Sequence, residues 1–339
     1  MNEIEKRKSE HLSIVGSGLG RQSSLATGFD AIRFLHNALP EMAYDAIDTR
    51  TDFLGRTLSA PLMVSAMTGG TLEAERINFA IAEACDELGL ALAVGSQRIA
   101  IEGRGAGGLG AGLRARAPHV PILGNLGAVQ LRRGMGLSEA QRAVDMLEAD
   151  ALMLHLNPLQ EAIQPGGDRD FSDLLPRIET LARSLPVPLG VKEVGAGLSA
   201  DVGRRLVNSG VTILDVAGVG GTSWARVEAE RGDERLRRIA APFFDWGIPT
   251  AEAVAAMASQ IRPGVALIAS GGIRHGLDVA RSIRLGADLA GQAGGALTAA
   301  QDGAEALAAH LSEVVEQLRI AMFCTGSCDL AELRRAPLA

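Results

Sequence analysis

Short apolar runs alternate with helical patterns along the chain from residue 62 onward. Eight apolar runs bounded by Gly, Pro or polar residues predict buried strands, at residues 62–66, 91–95, 121–125, 151–157, 188–194, 212–217, 266–270 and 288–292. Between most of them, apolar residues recur at helical spacing, over residues 73–88, 138–148, 171–185, 199–208, 252–261 and 277–285. Because the strands are too apolar to have a solvent face, this alternation favours an α/β fold, the parallel (β/α)₈ TIM barrel.

The main alternative fold is a doubly wound open sheet. That fold usually has a Gly-rich turn after its first strand, and residues 67–70 (Met-Thr-Gly-Gly) match this turn poorly. We therefore predict one domain over residues 1–339, with an N-terminal extension at 1–60, a barrel at 62–320 and an insertion at 222–249. The insertion is densely charged over residues 225–238. It predicts a solvated helix, a lid over the barrel mouth or an oligomer contact.

Composition narrows the class of protein. Hydrophobic residues make up 47% of the chain and aromatic residues 3%, so the core must be aliphatic, and the net charge of −7 argues against a nucleic-acid-binding surface. No apolar stretch approaches the roughly 20 residues of a membrane span, and the charged N-terminal segment lacks the apolar core of a signal peptide. Three cysteines form no disulfide framework, and we expect structural roles for Cys324 and Cys328. We predict a soluble cytoplasmic protein without nucleic-acid or membrane partners.

Candidate chemistry is concentrated where the predicted strands end. The run that begins at Ala151 stops at His155, Asn157, Gln160 and Glu161, which can bind a proton, an amide or phosphate group and a metal ion. In this fold the residues after the strands share one face, where the active site is built. The same face receives Gly271-Gly272 and Gly294-Gly295 after the last two strands, and two such glycine pairs indicate a phosphate site.

Lys192 lies within an otherwise apolar strand. Burying an ammonium group without a partner costs several kcal/mol. A structural ion pair with Asp215 on the neighbouring strand would explain it, as would a Schiff base or a cation beside the N1–C2=O edge of a flavin. Together with the predicted phosphate site and the amides and hydroxyls at the strand ends, Lys192 favours flavin mononucleotide (FMN).

These motifs resemble those of one enzyme family. The matching segments are residues 6–12 (Lys-Arg-Lys-Ser-Glu-His-Leu), 65–70, 95–98, 155–161 (His-Leu-Asn-Pro-Leu-Gln-Glu), 191–195, 220–222 and 270–274. In this order they resemble the type 2, FMN-dependent isopentenyl-diphosphate isomerases, from residue 6 to about residue 335. The resemblance implies interconversion of isopentenyl and dimethylallyl diphosphate in isoprenoid biosynthesis, with reduced FMN, Mg²⁺ and NADPH as the flavin reductant. It also implies a cytoplasmic homotetramer or homo-octamer.

The resemblance assigns roles residue by residue. FMN binding falls to Ala66, Met67, Thr68, Ser96, Asn125, Lys192, Thr222, Gly272, Ile273, Arg274, Ala293 and Gly294. Substrate binding falls to Arg7, Lys8, His11, Ser96, Gln97, Arg98, His155 and Gln160, and Mg²⁺ binding to Glu161. Gln160 and Lys192 are the candidate catalytic residues. Residues 223–228 depart from the family's pattern, which leaves the role of the insertion open.

The implied reaction adds a proton at one carbon and removes a different proton from a carbon two positions away. The amide of Gln160 cannot supply that proton because it does not titrate near pH 7, so the resemblance assigns proton exchange to the reduced flavin. An FMN-dependent 2-hydroxy-acid oxidase or dehydrogenase on the same barrel is the alternative. Such an oxidase would need a His base and an Arg pair near strand seven, but no histidine occurs between residue 218 and His275. A nucleotide dehydrogenase would need a nucleophilic Cys after strand six, and the sequence has no cysteine there.

Overall fold

A computed structural model describes residues 3–20, 26–67, 72–103 and 107–339. Within these ranges, the side chains of residues 3–9 and 72 are not described. Among the helices in the described part of the chain, none combines the length and the apolar character needed to cross a bilayer.

The predicted barrel is confirmed. A hairpin, β1 (Thr51–Phe53) and β2 (Arg56–Leu58), precedes eight parallel strands that close into a ring in the order β10-β3-β4-β5-β6-β7-β8-β9. These strands are β3 (Leu62–Val64), β4 (Ala91–Ala93), β5 (Ile122–Gly127), β6 (Ala151–His155), β7 (Leu189–Lys192), β8 (Ile213–Asp215), β9 (Ala266–Ser270) and β10 (Leu289–Gln292). All of their residues except His155 and Ala266 are buried, in agreement with the lack of a polar face in the sequence.

Helices surround the ring, and each predicted helical segment contains one. In chain order they are α1 (Glu3–Gly16), α2 (Leu72–Leu88), α3 (Arg98–Ile101), α4 (Ala111–Arg114), α5 (Leu137–Leu147), α6 (Pro158–Ile163), α7 (Leu174–Ser184), α8 (Ala200–Asn208), α9 (Trp224–Arg231), α10 (Glu234–Ala240), α11 (Thr250–Ala258), α12 (Gly276–Arg284), α13 (Gly294–Gln301), α14 (Ala304–Thr325) and α15 (Leu330–Leu333). Pro158 is the first residue of α6, where its missing N–H has no helical partner to lose. Helix α6 begins three residues after His155 and carries both Gln160 and Glu161.

The β1–β2 hairpin covers the end of the barrel where the strands begin. Phe53 and Leu58 from the hairpin join one apolar cluster with barrel residues such as Met63, Leu123 and Met153. Packing of these side chains excludes water from the barrel interior, which contributes roughly 25 cal/mol for each Å² of apolar surface buried. The opposite end, where the strands finish, is left for the site.

The charged insertion contains two helices, α9 and α10, and the solvated-helix interpretation is wrong for α9. Ala225, Val227, Glu228 and Ala229 are all buried, because α9 packs against α1 and α6. Helix α10 carries exposed charged residues, as a solvated helix does. Helix α9 thus forms part of the wall around the strand ends.

Candidate active site

A cavity of about 520 Å³ lies at the C-terminal ends of the barrel strands. This volume falls within the roughly 300–1,000 Å³ of typical small-molecule sites. Ten of the residues predicted to bind FMN line the cavity, namely Ala66, Met67, Ser96, Lys192, Thr222, Gly272, Ile273, Arg274, Ala293 and Gly294. The predicted substrate ligand His11 lines it as well, from α1. The structure therefore brings these residues of the predicted FMN site together around one cavity.

Glycines form one end of the cavity, after β9 and β10. Gly272 has a φ of +75°, and a Cβ added there would lie 2.5 Å from the carbonyl oxygen of Gly220. A side chain is therefore excluded at Gly272 both by backbone conformation and by contact. At Gly294, the first residue of α13, a Cβ would meet no atom within 4 Å. Unpaired N–H groups of a helix first turn beside open space suit a phosphate group.

Lys192 ends β7 and faces this cavity, although it is only 7% exposed. Its Nζ donates a hydrogen bond to the carbonyl oxygen of Glu193. Lys192 is in register with Asp215 on β8, but no ion pair within 4.0 Å joins the two among the described residues. Asp215 instead accepts a 2.6 Å hydrogen bond from Ser270 Oγ. The structural ion pair considered for Lys192 is therefore not formed, and its charge remains directed at the cavity.

Two buried carboxyl groups stabilise the wall around Lys192. Glu193 accepts backbone hydrogen bonds from Val194, Gly195 and Ala196 at 2.6, 2.7 and 2.5 Å. Burial raises the pKa of Glu193 above its usual value, against the opposing effect of these hydrogen bonds. Burial also raises the pKa of Asp215, opposed by the positive charge of Lys192. Glu193 thereby fixes the loop after β7, two residues of which line the cavity.

The cavity suits a flavin mononucleotide. Among the described residues, Ser65 Oγ has no hydrogen-bond partner and is buried beside the cavity, so it can pair with a polar ring edge. The cavity also has a glycine-rich end suited to a phosphate, a lysine suited to a polar ring edge, and apolar walls from Met67 and Val194. These features match the structure of FMN, which has a planar ring with polar edges and a terminal phosphate.

A hydrogen-bond network joins α1, α6 and α9 beside the cavity. Glu228 of α9 is 0% exposed. Its Oε1 accepts hydrogen bonds from Gln160 Nε2 and from His11 Nε2, both at 3.0 Å, and its Oε2 accepts one from Arg231 at 2.6 Å. On α6, Asn157 Nδ2 donates to Gln160 Oε1 at 3.0 Å, which fixes the orientation of the Gln160 amide. The predicted residues Gln160 and His11 are thus held by one buried carboxylate.

The environment of Glu228 favours its charged form. Burial alone would raise the pKa of this carboxyl, but hydrogen bonds from His11 and Gln160 and the nearby Arg231 outweigh burial, so the pKa lies below its usual value. His11 also packs edge-on against Trp224, with ring centroids 5.0 Å apart. The mouth of the cavity is therefore fixed by both a charged network and an aromatic contact.

The side chain of Gln97, a predicted substrate ligand, is buried in the barrel wall. Gln97 is 0% exposed, its Nε2 donates to the Ala143 carbonyl at 2.7 Å, and its Oε1 accepts from the Asn125 N–H at 2.9 Å. Both polar atoms of the amide are used inside the barrel wall, so the side chain does not reach the cavity. Gln97 instead fixes the strand that carries Asn125.

Asn125 lies within β5 and its side chain is buried behind the cavity lining. Its Oδ1 accepts a 2.9 Å hydrogen bond from His155 Nδ1, so Nδ1 of His155 carries the proton. Its Nδ2 donates to the Val94 carbonyl at 3.0 Å. Asn125 therefore orients His155, and the predicted contact between Asn125 and the flavin stays a prediction.

Glu161 and Arg98 lie on either side of Asp168. Glu161 Oε1 accepts from Asn157 Nδ2 at 3.0 Å, and Glu161 Oε2 accepts from the Asp168 N–H at 2.6 Å. The Asp168 carboxylate lies 3.6 Å from Arg98 and also contacts Arg133. Arg98 donates to Glu102 as well, at 2.9 Å. The structure thus brings the predicted metal ligand and one predicted diphosphate ligand to the same loop.

The side chains of Arg7 and Lys8, and the whole of Thr68, lie outside the described residues. Their predicted contacts with substrate and FMN remain predictions.

Sequence reasoning missed Glu228, Trp224 and the apolar residues of α1 that line the cavity, Leu12 and Val15. Glu228 lies among other charged residues in the sequence, so no local pattern of polar and apolar residues indicated that it is buried. The placement of Leu12 and Val15 on one helical face, next to His11, could have indicated an amphipathic helix covering the strand ends.

The three cysteines are free, and none lines the cavity. Cys328, Asp329 and Glu332 place ligand-type atoms within 4.8 Å of one another. Glu332 already accepts a 2.7 Å hydrogen bond from the Cys328 N–H, and Asp329 accepts from the Glu332 N–H at 2.8 Å as the N-cap of α15. These contacts agree with the structural role expected for Cys328.

Solved structures of known proteins share this fold. A mandelate oxidase bound to 4-Br-2-hydroxy-methylphenylacetate superimposes with a TM-score of 0.71 at 17% identity, covering 100% of this chain and 99% of that one. A mandelate oxidase variant with the monooxide FMN adduct superimposes with a TM-score of 0.69 at 18% identity, covering 96% and 92%. At these identities the likeness establishes the barrel fold alone.

Sequence relatives are much closer. An isopentenyl-diphosphate delta-isomerase of Xanthobacter autotrophicus is 58% identical over 98% of this chain and 97% of its own length. Proteins of the same name from Stutzerimonas stutzeri and Synechococcus are 55% and 50% identical, covering 99% and 98% of this chain and 97% and 96% of their own lengths. The FMN-dependent dehydrogenase family matches residues 10–102 and 138–339. The chain therefore belongs to the FMN-dependent dehydrogenase family and, within it, to the isopentenyl-diphosphate delta-isomerases.

Proposed function

We propose that this protein interconverts isopentenyl and dimethylallyl diphosphate, with FMN in the barrel-mouth cavity and Mg²⁺ at Glu161. One observation carries the proposal: Gln160 is fixed between Asn157 and the buried Glu228, in a small pocket that shares Val194, Gly195 and Trp224 with the cavity that Lys192 faces. An ammonium group in the cavity and an oriented amide in the adjoining pocket suit a reaction without net redox change. When bound, reduced FMN supplies the exchangeable proton and a negatively charged ring.

Lys192 would stabilise that negative charge. Lys192 as a whole is only 7% exposed, so the electrostatic effect of its charge is weakly screened by water. The Glu193 carbonyl holds the Nζ atom, and Glu193 in turn is held by three backbone N–H groups. Lys192 is thus oriented before any ligand binds, and little reorganisation is needed during the reaction.

The remaining cavity wall suits a short hydrocarbon. Leu12, Val15 and Leu297 contribute apolar side chains, and Trp224 contributes an aromatic ring that can face a developing carbocation. Gln160 cannot titrate near neutral pH, so its role is to orient the alkene and the groups around it. Apolar walls also exclude water, which would otherwise trap the carbocation.

The diphosphate and Mg²⁺ would bind near α6. Glu161 belongs to no group of three metal-binding side chains within the described residues, so a bound ion needs further oxygen ligands from elsewhere. Asn157 Oδ1 is buried without a hydrogen-bond partner in the described part of the chain, and a substrate diphosphate supplies the rest. Mg²⁺ is commonly bound by one or two carboxylates together with substrate phosphates and water. Binding energy from this end holds the alkene in position.

The alternative, a 2-hydroxy-acid oxidase, lacks its required groups. Among the described residues that line the cavity, His11 is the sole histidine and Arg274 the sole arginine. His275 caps α12, where its Nδ1 accepts from the Asp278 N–H at 3.2 Å, so it does not serve as a base in the cavity. A His base with an Arg pair gripping a carboxylate is therefore not assembled here.

An anaerobic assay of the purified protein with FMN, Mg²⁺ and isopentenyl diphosphate tests the proposal. Allylic diphosphate should form only after the flavin is reduced. Bound FMN without isomerisation would contradict the proposed reaction, and lack of FMN binding would contradict the cofactor. NADPH as reductant, the homotetramer or homo-octamer and the cytoplasmic location belong to the same proposal and rest on the resemblance in sequence.

A further inference from the structure

Gln292, the last residue of β10, lies directly behind the glycine-rich end of the cavity. It is 0% exposed. Its Nε2 donates to the carbonyl oxygens of Arg274 and Ile273 at 3.2 and 3.5 Å. Both of these residues line the cavity, where the proposed function places the FMN phosphate. A buried amide thus contacts the turn that would surround the phosphate.

The peptide unit between Ile273 and Arg274 is held at both of its ends. Its carbonyl oxygen accepts from Gln292, while its N–H donates to the Asp278 carboxylate at 3.1 Å. Asp278 is itself buried in the first turn of α12. A peptide held in this way cannot rotate, so the direction of the neighbouring N–H groups is fixed before a phosphate binds.

His310 holds Gln292 from the other side. His310 Nε2 lies 2.7 Å from Gln292 Oε1, and an amide oxygen can only accept, so Nε2 of His310 carries the proton. His310 belongs to the long helix α14. A Cβ added at Gly295, in the first turn of α13, would lie 3.4 Å from both Gln292 and His310. The pair therefore lies against both of the segments that form the phosphate end.

We propose that Gln292 and His310 are positioning residues for the FMN phosphate. His310 fixes the amide of Gln292, that amide fixes the turn at Ile273 and Arg274, and the turn binds the phosphate. The inference rests on the proposed cofactor but not on the proposed isomerisation. Helix α14 contributes no residue to the cavity lining. Through His310, it nevertheless determines how tightly the cofactor is retained.

The test compares the affinities for FMN and riboflavin, which lacks the phosphate, by quenching of flavin fluorescence. Gln292→Met keeps the size of the side chain but removes its hydrogen bonds, and should raise the Kd for FMN about tenfold, as expected for the loss of buried hydrogen bonds. His310→Leu should raise it about threefold. His310→Gln keeps an N–H donor and should restore most of the affinity. His119→Leu, at a histidine that is 80% exposed and lies outside the site, serves as the matched control.

In each weakened variant the Kd for riboflavin should change by less than about twofold, because hydrogen bonds that orient the turn affect the phosphate alone. Equal weakening for FMN and riboflavin would mean general loosening of the fold and would overturn the inference, as would an unchanged Kd for FMN. If Gln292→Met does not fold, the two His310 variants decide the matter. Wild-type protein that binds FMN without isomerising its substrate would contradict the proposed reaction and leave this inference standing.

Discussion

Gln160 and Glu228 are joined by a 3.0 Å hydrogen bond from amide to carboxylate, although 68 positions separate them in the chain. The bond connects α6, after β6, to α9, after β8. Because Asn157 fixes the other end of the Gln160 amide, the amide cannot rotate without breaking one of the two bonds. The orientation of Gln160 is therefore set by a residue from a segment whose charged composition suggested solvent exposure.

Replacing Glu228 with Gln should reduce turnover about 100-fold while leaving the Kd for FMN unchanged. The substitution keeps the size of the side chain but removes the negative charge of the carboxylate, whose oxygens accept hydrogen bonds from His11, Gln160 and Arg231. Hydrogen bonds to a buried charged group contribute about 1.5–3 kcal/mol each. Steady-state turnover and flavin fluorescence quenching measure the two quantities.

Glu234→Gln on α10 is the matched control for Glu228→Gln. Its carboxylate pairs with Arg238 at 2.9 Å, and its side chain is 88% exposed, so turnover should not change. Equal turnover of Glu228→Gln and wild type would exclude Glu228 from the orientation of Gln160.

Glu228 should also make the stability of the protein depend on pH. Its folded-state pKa lies below the usual value of 4.5, so the ionised form stabilises the fold above about pH 4.5, and that stabilisation is lost as the pH falls further toward the folded-state pKa. The difference in Tm between wild type and Glu228→Gln should therefore be largest near neutral pH and shrink below about pH 4.5. A Tm difference that stays constant down to about pH 3.5 would contradict this assignment.

Gln160→Ala should keep FMN binding but lose most of the turnover. Truncation removes the amide that links Asn157 to Glu228, and α6 loses its contact with α9 at that point. Gln141→Ala on α5, where the amide donates to Asp145 on the surface, should have full activity. Full activity of Gln160→Ala itself would remove Gln160 from the mechanism.

Lys192→Ala should lower turnover and shift the midpoint potential of bound FMN to more negative values. Loss of the buried ammonium group destabilises the reduced, negatively charged ring. For a two-electron couple, a tenfold change in the equilibrium constant for reduction corresponds to about 30 mV. Lys192→Arg keeps the positive charge and should restore part of the shift. Spectroelectrochemical titration measures the potential; unaltered turnover together with an unaltered potential would exclude this role.

Glu161→Gln should raise the Mg²⁺ concentration needed for half-maximal activity by about tenfold, because an uncharged amide is a weaker ligand for a hard cation. The variant can still accept the hydrogen bond from the Asp168 N–H, so the loop conformation should be retained. Glu179→Gln, whose carboxylate pairs with Arg183 on the outer surface of α7, is the control. An unshifted Mg²⁺ titration would argue against metal binding at Glu161.

The barrel could be predicted from the sequence because each strand is a continuous apolar run. For example, the apolar run at residues 151–157 predicted β6. The observed strand begins at the same residue and ends two residues earlier, at His155. The glycine-rich end of the cavity could be predicted for a similar reason, because Gly272 and Gly294 each lie two residues after the end of a strand. Both features depend on neighbours in the chain, which a sequence displays.

Features that depend on distant segments could not be predicted in the same way. Glu228 is buried only because α1 and α6 cover it, and its partner His11 lies 217 positions away. Gln97 resembles a polar residue at a strand end, yet its amide bonds to the Ala143 carbonyl on α5 and turns into the barrel wall. The same holds for Gln292, whose contact with His310 joins β10 to α14.

Closure of the ring between β10 and β3 has a consequence for biosynthesis. Leu62, Met63 and Val64 pair with Ala290, Gly291 and Gln292, so the first barrel strand to leave the ribosome is paired on one side by the last. Until the chain has been extended past residue 292, β3 has an open edge of the kind that promotes aggregation in incomplete chains. Because the glycine-rich end of the cavity belongs to the same late segment, the cavity itself is complete only near the end of translation.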